Sequence, residues 1–255
     1  MSMTIPGRQI ARHCLAALVG LVVLGAAQAA SAGPEASGLS YPRMAPGAEY
    51  LMPDRAAEIS LARSAAPASI SASATVLVLS SKGYETAITG TNGFTCLVER
   101  AWMSPFDSPE FWNPKLRGPV CYNPAATRSI LPITRYRTKL AQAGVSKSRM
   151  FDEIRAAIAR KELQAVPEPG AMSFMMSKDG NLGDGVGHWH SHLMFYIQGT
   201  DISSWGANLP GSPVVVDDEH RKTPEQQITF LVPVSHWSDG SLAPAAGHSA
   251  EGTDK

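Results

Sequence analysis

An excess of charge of either sign is missing from this chain of 255 residues, which carries 22 Lys and Arg against 22 Asp and Glu. Residues 1–32 contain two Arg and no acid, so the rest of the chain has 20 basic and 22 acidic side chains. Nucleic acids and anionic membranes attract clustered positive charge. The composition therefore predicts neither of them as a partner.

Long apolar runs are missing as well, apart from one near the N terminus. Residues 14–27 form an apolar run of 14 residues, which is shorter than the roughly 20 that a membrane-spanning helix needs. Two arginines precede it, and two small-x-small sites follow it at Ala27–Ala29 and Ala30–Ala32. This order is typical of a secretory signal peptide. We expect residues 1–32 to be removed during Sec-type export, and we expect a mature chain without a membrane span in the periplasm or outside the cell.

Cysteine is scarce, since only Cys96 and Cys121 lie beyond the predicted signal peptide. In an oxidising compartment an isolated pair most simply forms a disulfide. Such a bridge would close a loop of about 25 residues and add roughly 3.5 kcal/mol to the free energy of unfolding. The alternative is a reactive thiol, but neither cysteine has a neighbouring His that resembles a catalytic partner, and export disfavours a free thiol.

The sequence also lacks the short motifs of several common enzyme classes. It contains no G-x-S-x-G, S-x-x-K, H-E-x-x-H, Walker or Rossmann glycine pattern. These absences exclude the readily recognised hydrolases and nucleotide-dependent enzymes, but not enzymes in general.

Apolar patterns predict strands early and late in the chain and helices between them. The predicted helices are 53–66, 129–144 and 148–163, and the predicted strands are 74–79, 84–89, 94–100, 171–176, 187–197 and 227–234. Asn92–Gly93 predicts a hairpin between the second and third strands, and hence a three-stranded antiparallel start. The pattern indicates an α+β fold with a mainly antiparallel sheet and a central pair of helices.

The same patterns suggest how the chain is divided. Residues 33–52 are rich in Gly, Pro, Ala and Ser and predict a flexible lead-in. A single globular domain is expected over residues 53–240, followed by a mobile tail at 241–255. Residues 101–124 are predicted to be irregular. Trp102, Phe106, Phe111 and Trp112 are expected to hold this loop against the core, or alternatively to line a pocket.

Residues 187–196 are the most unusual stretch, because they contain three histidines. A regular strand would place these histidines on one face and apolar residues on the other, core-facing side. The first face carries His188, His190, His192, Met194 and Tyr196, and the second carries Trp189, Ser191, Leu193, Phe195 and Ile197.

The H-x-H spacing places two imidazoles about 7 Å apart at Cα, so both can reach one ion. His190 and His192 are therefore candidate ligands for a divalent transition metal. Further ligands would have to come from elsewhere in the chain, for example His220, His236 or a carboxylate such as Asp184. The alternative is that these histidines only occupy a half-exposed strand face and bond to neighbours or water.

Two further polar segments have simpler explanations. Asp179–Gly185 resembles a calcium loop in composition but lacks the alternating acids and closing Glu of an EF-hand, so a glycine-rich turn is expected. Asp217–His220 is expected to be a solvated charged loop.

Several runs resemble a family of exported bacterial proteins of uncharacterised function. These runs are Ala56–Ile59, Gly90–Arg100, Phe111–Pro114 and His192–Phe195. The resemblance covers most of the mature chain and implies bacterial export, but no fold, ligand or catalytic residue. Because the sequence displays no recognisable catalytic set, we expect a non-catalytic binding or structural module of the cell envelope, with a metal-dependent enzyme or metal-binding protein as the alternative.

Overall fold

The computed structural model describes residues 41–184, 190–198, 202–216, 223–225 and 227–244. The predicted signal peptide and residues 245–255 of the predicted tail lie outside these ranges. Within them, no helix has both the length and the apolar character needed to cross a membrane.

The predicted α+β class is confirmed, since helices accompany a single, mostly antiparallel sheet of eight strands in the order β2-β1-β3-β4-β5-β6-β8-β7. The central pair of helices corresponds to α4 and α5. The helices are α1 (Arg55–Arg63), α2 (Ala68–Ser71), α3 (Pro124–Ser129), α4 (Leu131–Gln142) and α5 (Lys147–Ala159). The strands are β1 (Thr75–Ser80), β2 (Gly83–Ile88), β3 (Thr95–Glu99), β4 (Gly118–Tyr122), β5 (Met172–Met175), β6 (His192–Gln198), β7 (Val215–Val216) and β8 (Gln227–Pro233).

Local capping explains where the main helices begin and end. The Asp54 side chain accepts a hydrogen bond of 2.8 Å from the backbone N–H of Ala56 and so caps α1. Ser146 caps α5 in the same way. The chain leaves α4 through Gly144, whose φ of +70° is a left-handed conformation that favours glycine.

The predicted three-stranded antiparallel start is wrong. β2 pairs antiparallel with β1, but β3 lies on the other side of β1 and runs parallel to it. Asn92 and Gly93 turn the chain across the end of β1 instead of joining paired strands. The crossing is very close, because a Cβ on Gly90 would lie 2.2 Å from the backbone of Ala74 and Thr75.

Residues 101–124 contain a strand that the sequence patterns did not predict. β4 lies between β3 and β5, although proline, here Pro119, is rare inside a central strand. The four aromatic side chains singled out in this segment do hold it to the core, as expected, since each is at most 9% exposed: Trp102, Phe106, Phe111 and Trp112.

The sheet has an apolar core on each face. Leu77 and Leu97 belong to the larger core, in which Met150 of α5 is fully buried. The neighbouring residues Val76 and Cys96 point to the opposite face and pack in a smaller core with α1. The period of two along each strand therefore divides the sheet between two helical layers.

Residues 33–52 were predicted to be a flexible lead-in, but residues 41–52, the described part of this segment, pack against the domain. Tyr50 is only 1% exposed and belongs to the larger core. Its hydroxyl donates to the carbonyl of Trp112 at 2.7 Å, and its own carbonyl accepts from Arg100 Nε at 2.7 Å. These contacts attach residues 41–52 to the domain.

Cys96 and Cys121 form the predicted disulfide. They face each other across β3 and β4 in direct register, and both are fully buried. The bond joins residues that are 25 positions apart in the sequence, so it restricts a substantial loop of the unfolded chain.

Replacing both cysteines by Ala should lower the free energy of unfolding by roughly 3 kcal/mol, because the unfolded chain regains the entropy of that loop. Urea unfolding measures the loss. A reducing agent should shift the midpoint of the wild type and leave that of the variant unchanged. Two thiols open to alkylation in the native, unreduced protein would contradict the bond.

Candidate functional site

The His-rich segment becomes a strand later than the sequence predicts. β6 begins at His192, whereas His190 precedes the strand and is exposed. Residues 185–189, with His188, lie outside the described residues. His190 and His192 therefore do not share an exposed strand face.

The predicted orientation of β6 is also wrong. His192 and Tyr196 are 7% and 5% exposed, and Tyr196 lies in the larger core with its ring 6.3 Å from that of Tyr122. Leu193 and Phe195, which were expected to face inward, are half-buried on the other face. The larger core offers a polar partner to the tyrosine, because the hydroxyls of Ser173 and Tyr196 lie 3.0 Å apart. A tyrosine can therefore be buried there without losing its hydrogen bond.

The His192 ring is fixed by its own backbone. Its Nδ1 lies 2.6 Å from the carbonyl oxygen of His190, and a carbonyl only accepts, so Nδ1 carries the proton. Burial lowers the pKa of His192 below the ordinary 6.5, which favours the neutral ring at pH 7. Metal-binding histidines commonly use one nitrogen in this way and keep Nε2 for the ion.

Of the further metal ligands considered from the sequence, His236 lies near the start of β6, whereas Asp184 is engaged by other side chains. The hydroxyl of Ser191 donates to the carbonyl of His236 at 2.6 Å, which brings the backbone of His236 to the start of β6. Asp184 accepts from the hydroxyl of Tyr41 and lies 3.4 Å from Nζ of Lys115. These partners lower the pKa of Asp184, and Asp184 in turn raises the pKa of Tyr41 to about 12.

Among the described residues, no group of three or more His, Cys, Asp or Glu side chains is arranged to hold a metal ion. His220 and the predicted charged loop Asp217–His220 lie outside those residues. The described part of the Asp179–Gly185 segment, up to Asp184, is a fixed turn. Gly183 has a φ of +129°, and a Cβ there would lie 2.6 Å from the carboxyl carbon of Glu110.

A groove of about 620 Å³ lies elsewhere, between residues 44–51 and the C-terminal end of α4. Aromatic and aliphatic side chains form most of its wall, including Tyr50, Leu51 and Trp102. Gln142 also borders it, and its Nε2 donates to the carbonyl of Ser80 at 2.6 Å, which holds the amide in place. No lining residue carries a charge at neutral pH.

The sequence patterns did not predict this groove. Residues 44–51 were assigned to the lead-in because Gly, Pro and Ala dominate their surroundings. The signal that was available is Tyr50-Leu51-Met52, a short apolar run that ends at the α1 cap. Such a run inside a polar or small-residue segment suggests attachment to a core.

Three carboxylates are buried among the described residues. Glu58 pairs with Arg100 at 2.8 Å, and Glu225 pairs with Arg137 at 3.1 Å. The third, Glu99, has no salt bridge among the described residues. Each of the two ion pairs joins parts of the chain that are distant in sequence.

Glu99 is held by hydroxyl groups instead. Tyr122 donates to its Oε1, and Thr134 of α4 donates to the same oxygen at 3.4 Å. Burial raises the pKa of Glu99 above its ordinary value of 4.5, and these hydrogen bonds oppose the rise. The hydrogen bonds of Glu99 therefore join β3 and β4 to α4.

Because the folded state holds the Glu99 proton more tightly than the unfolded state does, this group stabilises the fold fully below about pH 4.5. The contribution is lost as the pH rises through the elevated pKa. Glu99→Gln should remove this dependence, so the wild type should lose up to about 1.4 kcal/mol per pH unit relative to the variant within the window. Urea unfolding from pH 4 upward measures both profiles. Parallel profiles would contradict the raised pKa.

No family model matches the chain, and the searches of curated proteins and of solved structures find no match. The function is therefore inferred from the side chains of this chain alone.

Proposed function

We propose that the chain is exported and acts as a non-catalytic module of the cell envelope that binds an uncharged, mainly apolar ligand in the groove between residues 44–51 and α4. The observation that carries this proposal is the groove itself. Its volume of about 620 Å³ lies within the range of small-molecule sites, which is roughly 300–1,000 Å³.

The chemistry of the wall supports an uncharged ligand. Met44 and Leu51 offer half-buried apolar surface, and the buried rings of Tyr50 and Trp102 lie behind it. The amide of Gln142 and the hydroxyl of Ser81 are the side-chain polar groups beside them. Binding sites for small molecules typically combine such a wall with a few oriented polar groups. A charged ligand would lose its hydration here without gaining a partner of opposite charge.

The surrounding contacts support a preformed groove. The carbonyl of Tyr50 accepts a hydrogen bond from Arg100. The indole N–H of Trp102 donates to the hydroxyl of Thr138 on α4 at 3.0 Å. Both walls are therefore anchored to the larger core, and little ordering is left for ligand binding to provide.

A second candidate function, transition-metal binding, is favoured by the His192 ring. With its Nδ1 bonded to the His190 carbonyl at 2.6 Å, the ring has the tautomer that metal-binding histidines commonly adopt. The backbone of His236 lies next to Ser191, so the start of β6 brings a further histidine near.

The groove predicts that a neutral aromatic probe, N-phenyl-1-naphthylamine, binds the protein with micromolar affinity and increased fluorescence. Ala48→Trp should weaken binding by about tenfold or more, because the indole occupies groove volume at an exposed position. Ala159→Trp, at the exposed end of α5, is the matched control and should bind normally. Equal affinity in both variants, or no binding by the wild type, would rule the groove out as the binding site.

The metal alternative predicts that the wild type binds Zn²⁺, Cu²⁺ or Ni²⁺ in calorimetry at pH 7.5. Replacing His190 and His192 together by Ala should abolish this binding, because the site loses its imidazoles. Thermal unfolding of the same variant checks that the fold survives. If the double variant binds the metals as the wild type does, or the wild type binds none of them, β6 is ordinary structure.

A further inference from the structure

The balanced total charge conceals an uneven distribution. Residues 124–163, which include α3, α4 and α5, contain nine Lys and Arg but three Asp and Glu, a net charge of +6. The whole chain has 22 of each sign, so the remaining residues carry a net charge of −6. The helical layer that contains α4 and α5 is therefore basic, while the rest of the chain is acidic.

Four exposed cations of this layer form what we call the basic patch: Arg135, Lys139, Arg160 and Lys161. Arg135 and Lys139 lie one turn apart on α4 and so point the same way. Arg160 and Lys161 follow the end of α5. α4 and α5 pack against each other, and Tyr136 of α4 lies close enough to Arg160 to raise the pKa of its guanidinium.

The basic patch contains one close carboxylate among the described residues. Glu162 accepts two hydrogen bonds of 2.8 and 3.0 Å from Arg160. These bonds lower the pKa of Glu162, and the positive charge of Lys139 lowers it further. Arg135, Lys139 and Lys161 have no carboxylate oxygen within 4.0 Å in the described part of the chain. The net charge of the patch is therefore +3.

The other exposed cations of the layer differ in this respect. Their salt bridges neutralise them: Arg128 with Glu168 at 2.7 Å, Arg149 with Glu153 at 3.6 Å, and Arg155 with Asp152 at 3.0 Å. Lys147 at the start of α5 is half-buried, and its Nζ lies 5.4 Å from the centre of the Phe111 ring. The exposed cations of the layer that lack a salt bridge among the described residues thus lie on α4 and at the end of α5.

We propose that the basic patch docks the protein reversibly onto a bilayer surface rich in anionic phospholipid. Long Lys and Arg side chains reach phosphate groups while their stems stay over the protein. Tyr136 lies among them, and tyrosine favours the headgroup level of a membrane. Three net charges suit a lipid surface better than a nucleic acid, which typically takes six to ten phosphate contacts. Membrane docking is a function separate from ligand binding in the groove. The balanced total charge argued against an anionic membrane as a partner, but the total does not show where the charges lie.

The test is sedimentation of the processed protein, without its export signal, with sucrose-loaded vesicles of equimolar phosphatidylglycerol and phosphatidylcholine. Each positive charge near such a surface strengthens binding about fivefold. Arg135→Gln combined with Lys139→Gln should therefore lower the partition coefficient about 25-fold. Lys161→Gln alone should lower it about fivefold. The matched control, Arg43→Gln with Arg55→Gln, removes the same charge from exposed positions outside the layer and should bind like the wild type.

Binding should vanish on vesicles of pure phosphatidylcholine, and it should fall steeply between about 50 and 500 mM NaCl because salt screens exposed charges. The proposal is overturned if the wild type does not sediment, if salt has no effect, or if the control variant loses as much as the patch variants. Tighter binding to a DNA duplex than to the anionic vesicles would also overturn it.

Discussion

The buried ion pair between Glu58 and Arg100 holds the N-terminal half of the molecule together. Arg100 donates through Nη2 to Glu58, through Nη1 to the carbonyl of Val98, and through Nε to the carbonyl of Tyr50. Glu58 also accepts the backbone N–H of Leu79. One guanidinium therefore joins α1, β1, β3 and the wall of the groove. Removing one member of such a pair leaves a buried charge and typically costs 3–5 kcal/mol, which makes this contact a condition for the rest of the fold.

The two proposed interaction surfaces follow from how the sheet divides its covering layers. α1 packs on one face, where it brings Glu58 to Arg100, and α4 packs on the other, where its end borders the groove. The outward side of α4 and the end of α5 carry the basic patch. Both surfaces are thus built on the same helical layer, but one is uncharged and concave whereas the other is charged and exposed. A ligand and a membrane surface would contact different parts of α4.

Features that depend on neighbouring residues were predictable from the sequence, and features that depend on distant contacts were not. The Asp54 cap and the apolar spacing of α5 are local, so both helices were found. The turn at Asn92–Gly93 is local too, but the side of β1 on which β3 pairs depends on the close approach of Gly90. Alternation along β6 predicted its two faces, but the buried face was predicted wrongly, because it depends on the partners of Tyr196 in the larger core. The groove was missed for the same reason, since its walls come from distant segments.

The order of the strands in the sheet bears on how the chain can fold when it becomes available from the N terminus onward. Apart from one exchange at each edge, the strands lie side by side in the order in which they occur along the chain. Each newly emerged strand from β3 to β6 therefore finds its partner already present, and none has to wait for a distant segment. Assembly from the N terminus onward keeps unpaired strand edges short-lived, which limits aggregation of unfinished chains. The disulfide between Cys96 and Cys121 can form as soon as β4 has emerged, well before α4 and α5 are complete.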